Sequence, residues 1–188
     1  MPAEKRVQTL RSVARLLGMF ARQVELKRAL EATEREPHLD FWRLMYGGLS
    51  NLAVIEWCKL FGAVGSNALH WQRVFPDRQH EFRIGLHTTT AMDDAAFSAY
   101  WRDIKRWRDT DFAHFDPHAT RPRKWPHFDA ALAAADYYYS WVVAELDERD
   151  HHLFPADLAS FRRTVRLGYD EAAVCALTST RDLRQAKL

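Results

Sequence analysis

Apolar residues recur along most of the chain at alternating three- and four-residue steps. Over residues 4–35, Val7, Leu10, Ala14, Leu17, Ala21 and Val24 keep this rhythm, and Leu16 and Phe20 widen the stripe. Such a period puts them on one face of an α-helix, the first long helix of the chain. Pro37 and Asp40 supply a stop and a restart. In the second helix Phe41, Leu44, Leu52, Ile55, Cys58 and Phe61 are expected to face the core, and Gly62 ends it. Gly47-Gly48 is expected to kink this helix or split it. Residues 62–92 read as a connector: Ser66 caps a short helix through residues 67–75, Pro76 stops it, and a second short segment around 81–86 leads into Thr88-Thr89-Thr90. Thr90 or Asp93 then opens a third long helix. Its one side carries Phe97, Trp101, Ile104, Trp107 or Arg108, Asp111 or Phe112, and Phe115, and Pro117 stops it.

Residues 116–126 hold three prolines, Pro117, Pro122 and Pro126, and are expected to form an exposed loop. A fourth helix from about His127 carries Phe128, Leu132, Ala135, Tyr139, Val142 or Val143, and Leu146, and turns at least Tyr138 outward. Asp157 caps a fifth helix with Leu158, Phe161, Val165, Tyr169, Ala172, and Ala176 or Cys175, ahead of a polar tail at 179–188. Neither strand-type alternation between turn signals nor an internal repeat is visible. The pattern predicts an all-α protein: an up-and-down bundle of about five long helices with short connector helices, in one domain spanning 1–188.

Composition narrows the picture in three ways. With 188 residues the chain is long enough to bury a core without disulfides, and 7 Gly and 7 Pro are few turn residues for that length, which favours long helices. A formal net charge of +2 gives no molecule-wide field to attract nucleic acid, so any basic site must be local. Cys58 and Cys175 lie far apart without metal-type spacing, and both are expected to be buried, reduced thiols. The basic, amphipathic start lacks a continuous apolar stretch and contains Glu4 and Glu25, which fits neither a secretory signal nor a transit peptide. No run approaches a membrane span, so a cytoplasmic protein without membrane association is expected.

The segment YWRDIKRWRDTDFAHFD, residues 100–116, carries the most chemistry. Arg108 is followed by Asp109 and, five residues after that, by His114 within Ala113-His114-Phe115-Asp116. Spacing alone selects nothing, because Arg73 with His80 and Arg121 with His127 show comparable gaps. The flanking residues, the position at a helix end before a basic loop, the upstream IEWCKLFG and Leu69-His70-Trp71 together resemble the HEPN superfamily, in its abortive-infection and toxin-like branch. The resemblance spans roughly residues 40–145. It implies a metal-independent endoribonuclease, a toxin or phage-defence effector, that cleaves RNA by attack of the 2′-hydroxyl on the adjacent phosphate. His114 would then be the acid/base, Arg108 the electrostatic stabiliser of the phosphorane, and Asp109 the group that orients one of them. The chemistry suits these residue types, since imidazole titrates near neutrality and guanidinium is a permanently charged fork for phosphate oxygens. One pair is too few for both proton transfers, so the resemblance also implies a homodimer with a composite site, and an antitoxin protein as a partner. Phe112 and Phe115 add unusual bulk beside the histidine.

Other readings stand beside this one. Arg121, Arg123, Lys124 and Trp125 are expected to bind RNA through phosphate charge and base stacking, or else to be a solvated loop whose Trp packs on the bundle. Arg108 and His114 also fit an ordinary helix-end network, with Asp111 pairing the arginine. Asp147 with His151 and Glu148 with His152 have the spacing of two metal ligands, but no third ligand cluster lies nearby and no metal or other cofactor is expected. Tyr137, Tyr138, Tyr139 and Trp141 read as core on one side and dimer surface on the other. The alternative functions are a non-catalytic RNA- or nucleotide-binding module and a protein-interaction scaffold that pairs through its first helix.

Overall fold

The computed structural model describes residues 3–35, 37–65, 67–109, 127–147, 150 and 152–183. These form an all-α helical bundle: α1 (Ala3–Thr33), α2 (Asp40–Phe61), α3 (Trp71–Val74), a 3₁₀ turn at Pro76–Arg78, α4 (Gln79–Thr90), α5 (Asp94–Trp107), α6 (Asp129–Val143) and α7 (Leu158–Thr180). No helix among the described residues is long and apolar enough to cross a membrane. The bundle is organised round α1, which packs against α2, α6 and α7. Its stripe of Leu10, Val13, Leu17, Phe20, Ala21 and Val24 is buried almost completely, as its period predicts.

The helix boundaries follow local chemistry. Asp93 caps α5 by accepting from the Ala96 N–H at 2.7 Å, and Asp157 caps α7 by accepting from the Ser160 N–H at 2.6 Å. Thr90 is no cap. It closes α4, its hydroxyl donating to the Leu86 carbonyl at 2.8 Å, and Ala91 follows at φ 52° as a left-handed terminus. The segment expected around 81–86 is thus a full 12-residue helix, because the threonine run extends it. Ser66 lies outside the described residues, and His70 caps α3 in its place, its Nδ1 accepting from the Gln72 N–H at 3.2 Å.

Three burial expectations are corrected. In α2, Phe41, Leu44 and Leu52 are 59%, 72% and 49% exposed, whereas Tyr46, Leu49, Ala53, Trp57 and Leu60 are buried against the bundle. The helix is apolar nearly all round, so its period alone does not choose the buried side, and the stripe holding the larger rings takes the core. Tyr138 is fully buried, its hydroxyl donating to the Leu69 carbonyl at 2.9 Å, because α6 is covered by α1, α4 and α7 on three sides. Cys175 is exposed while Cys58 is buried; both are free thiols. On α7 the buried residues are Leu158, Ala173 and Leu177, which turns Cys175 away.

Gly47-Gly48 does not interrupt α2, which runs unbroken to Phe61. Gly62 does end it, for a reason of space. A Cβ at Gly62 would overlap the carbonyl oxygen of Cys58, to which the Gly62 N–H donates at 2.9 Å, whereas one at Gly48 would meet nothing. Gly62→Ala is therefore expected to lower stability by about 1–3 kcal/mol, and Gly48→Ala to raise it by about 0.5–1 kcal/mol through better helix propensity. Urea denaturation of the two variants checks the pair; equal shifts of the same sign would contradict it.

Candidate functional site

Of the residues singled out in the sequence, Arg108 and Asp109 are described; His114 and the basic loop residues Arg121, Arg123, Lys124 and Trp125 lie outside the described residues, as does Asp111. Arg108 and Asp109 follow α5 in π-type conformation, and the Arg108 N–H donates to the Ile104 and Lys105 carbonyls, the i−4 and i−3 partners of an ordinary helix end. Arg108 Nε donates to Asp109 Oδ1 at 2.7 Å, its Nη2 lies 2.6 Å from the same oxygen, and Lys105 Nζ lies 3.3 Å from Oδ2. Asp109 thus orients the arginine. Partial burial pushes the Asp109 carboxyl up, but the hydrogen bonds from Arg108 and Lys105 outweigh it and hold it below its ordinary value.

The guanidinium also lies beside α2. Burial pushes the Cys58 thiol up to about 11, against the pull of the nearby Arg108 charge, so Cys58 is a neutral thiol wall for the arginine rather than a nucleophile. One residue before, Trp107 Nε1 donates to Asn51 Oδ1 at 3.3 Å, locking the end of α5 on α2. Leu44, Gly48, Asn51, Ile55 and Cys58 follow one another at helical spacing, so the exposed apolar side of α2 runs up to the residues that hold Trp107 and Arg108. The sequence does not show this neighbourhood: IEWCKLFG and Arg108-Asp109 lie about 50 residues apart and are joined only by the packing of α5 on α2.

Leu69-His70-Trp71 proves structural. His70 is 2% exposed and lines the end of α2; burial pulls its imidazole down to about 4, against hydrogen bonds to the Phe61 and Gly62 backbone, so it stays neutral. Leu69 accepts from Tyr138, and Trp71 stacks on Phe82 with centroids 4.7 Å apart. Nor do the two Asp/Glu–His pairs after α6 assemble on described residues: Glu148 and His151 lie outside them, and no cluster of three His, Cys, Asp or Glu suited to a metal occurs among the described residues.

A second concentration of polar groups, unanticipated from sequence, lies beyond the other half of α5. His87 of α4 meets Asp94 of α5, Nε2 to Oδ1 at 3.3 Å, beside a cavity of 370 Å³ that Arg83, Ser98 and Trp101 also line. No sequence signal marks these residues, which only the packing of α4 and α5 brings together. Comparisons of the chain with protein-family models, with curated proteins and with solved structures find no match.

Proposed function

We propose that the chain is a HEPN-like, metal-independent endoribonuclease whose site forms between two copies. The observation that supports this best is Arg108 itself: a part-exposed guanidinium, held by Asp109 immediately after the end of α5. A fixed, permanently charged fork is what a developing phosphorane needs, because no reorganisation is then required as charge builds. The exposed apolar face of α2, with Leu44 and Leu52 beside the arginine's anchor residues, suits contact with a second copy.

In this reading one copy's His114 takes the 2′-hydroxyl proton as the 2′-oxygen bonds to phosphorus. The bond from phosphorus to the 5′-oxygen breaks, and the other copy's His114 gives that oxygen a proton. The two Arg108 side chains stabilise the charge between these events. The products are a cyclic phosphate end and a free 5′-hydroxyl. As a toxin or phage-defence effector in the cytoplasm, such an enzyme would need restraint by an antitoxin partner.

The test is incubation of the protein with total RNA in excess chelator. Wild type is expected to cleave and to leave cyclic phosphate ends, with a rate per chain that rises as copies pair. Arg108→Ala and His114→Ala are each expected to lose about 10²–10³-fold. Cleavage unchanged in His114→Ala would remove the catalytic reading. An inert wild type that still retained RNA would favour the non-catalytic binding module.

A further inference from the structure

We propose that the cavity between the end of α2, α3 and the facing sides of α4 and α5 is a binding site for one nucleoside monophosphate unit. Its volume, 370 Å³, falls in the range of small-ligand sites, about 300–1,000 Å³. On its lining, α4 presents Arg83 and His87 one turn apart on the same side. Arg83 is exposed and, among the described residues, its guanidinium has neither a hydrogen bond nor an ion pair, as is also true of Arg15 and Arg102; what sets it apart is its place on the cavity lining beside His87. His87 is oriented by Asp94 through Nε2, which leaves Nδ1 to a ligand. A free guanidinium beside an oriented imidazole suits a phosphate.

Two aromatic rings, Trp101 and Phe97, are part of the lining. Trp101 is fixed by its Nε1, which donates to the Phe61 carbonyl at 2.7 Å, and Phe97 sits with its centroid 6.0 Å from the His87 ring. His70 is neutral and already hydrogen-bonded, so it adds no charge to the lining. The Ser98 hydroxyl is a neutral polar group on the lining that can read a base or sugar edge, whereas the Gln72 Nε2 already donates to Gln79 Oε1 at 3.3 Å. Rigid aromatic faces of this kind accept any base by stacking. A metal is the poorer occupant, since His87 and Asp94 find no third ligand among the described residues.

The site extends the ribonuclease reading, and this part rests on it. Trp101 and Arg108 lie seven residues apart on the same side of α5, which is two turns or about 10 Å. A strand laid along α5 would place one nucleotide in the cavity while another met Arg108. That base must be unstacked, so the substrate would be single-stranded.

Isothermal titration of the full chain with AMP, UMP and inorganic phosphate tests the site. AMP and UMP are expected to bind one per chain, about tenfold or more tighter than phosphate, and Arg83→Gln to weaken both about tenfold at unchanged melting temperature. Absence of binding overturns the proposal. So does phosphate binding as tightly as AMP, which would leave the aromatic walls unused, and so does an unaltered Arg83→Gln. A short 2′-O-methyl RNA, which resists cleavage, separates the sources: displacement of AMP assigns the site to a strand, and binding beside AMP assigns it to the free nucleotide. AMP binding by a chain that cuts no RNA would sink the nuclease and keep the pocket. RNA cleavage by a chain that ignores AMP and UMP would do the reverse.

Discussion

Replacing Phe82 by alanine is expected to destabilise the protein by about 3–5 kcal/mol, the largest single-residue loss foreseen for the core. Phe82 is fully buried at the point where α4 docks on the bundle. Its ring stacks on Trp71 at 4.7 Å and meets Tyr137 at 5.0 Å, Trp141 at 5.1 Å and Tyr138 at 5.4 Å. Alanine would empty a space walled by these four rings and by Phe75, whose centroid lies 6.0 Å away, and they cannot close inward without leaving their own partners. Tyr138 is tethered to the Leu69 carbonyl and Arg78 lies over Trp141 at 4.1 Å, so both resist collapse. Phe82→Leu, which keeps most of the volume, should cost less than half as much. Urea melts followed by circular dichroism give both numbers. A loss under about 1 kcal/mol for alanine would mean that α4 is not docked through this ring.

Arg11→Ala should come next, at about 3 kcal/mol. Asp150 is 1% exposed, yet one of its oxygens accepts from Arg11 Nε at 2.9 Å and lies 2.7 Å from Nη2, while Oδ2 has no hydrogen bond. Removing the arginine leaves a carboxylate, buried in the native protein, without its partner. Its Coulomb partner is lost while its desolvation remains. The paired change Arg11→Met with Asp150→Leu removes both charges and should recover most of the loss. Strict additivity of the two single changes in the double variant would show that the groups are not coupled.

The elements whose limits were legible are those set by local chemistry. Asp93, Asp157 and Gly62 mark helix ends because one side-chain oxygen, or one missing Cβ, decides the matter within a few residues. The face each helix buries was legible only where the sequence offers a single apolar stripe, as in α1. In α2 two stripes compete, and the choice falls to neighbours distant in sequence. Tyr138 reads as outward only while α6 is imagined with one partner. For the candidate site, Arg108 and Asp109 were found from a local pattern, and their pairing is local too. Cys58, Asn51 and the cavity residues Arg83 and His87 depend on how α2, α4 and α5 pack, which no short window contains. His70 shows the opposite case: a histidine in a suggestive tripeptide that serves as a cap and a wall.

The packing of α7 along α1 has a consequence for biosynthesis. A ribosome releases α1 first, and its apolar stripe from Leu10 to Val24 must wait for α2, then α6, and last of all α7. Until the final helix has left the exit tunnel, the nascent chain carries greasy surface into a crowded solution. Translation that halts before about residue 158 should leave fragments dependent on chaperones for their solubility.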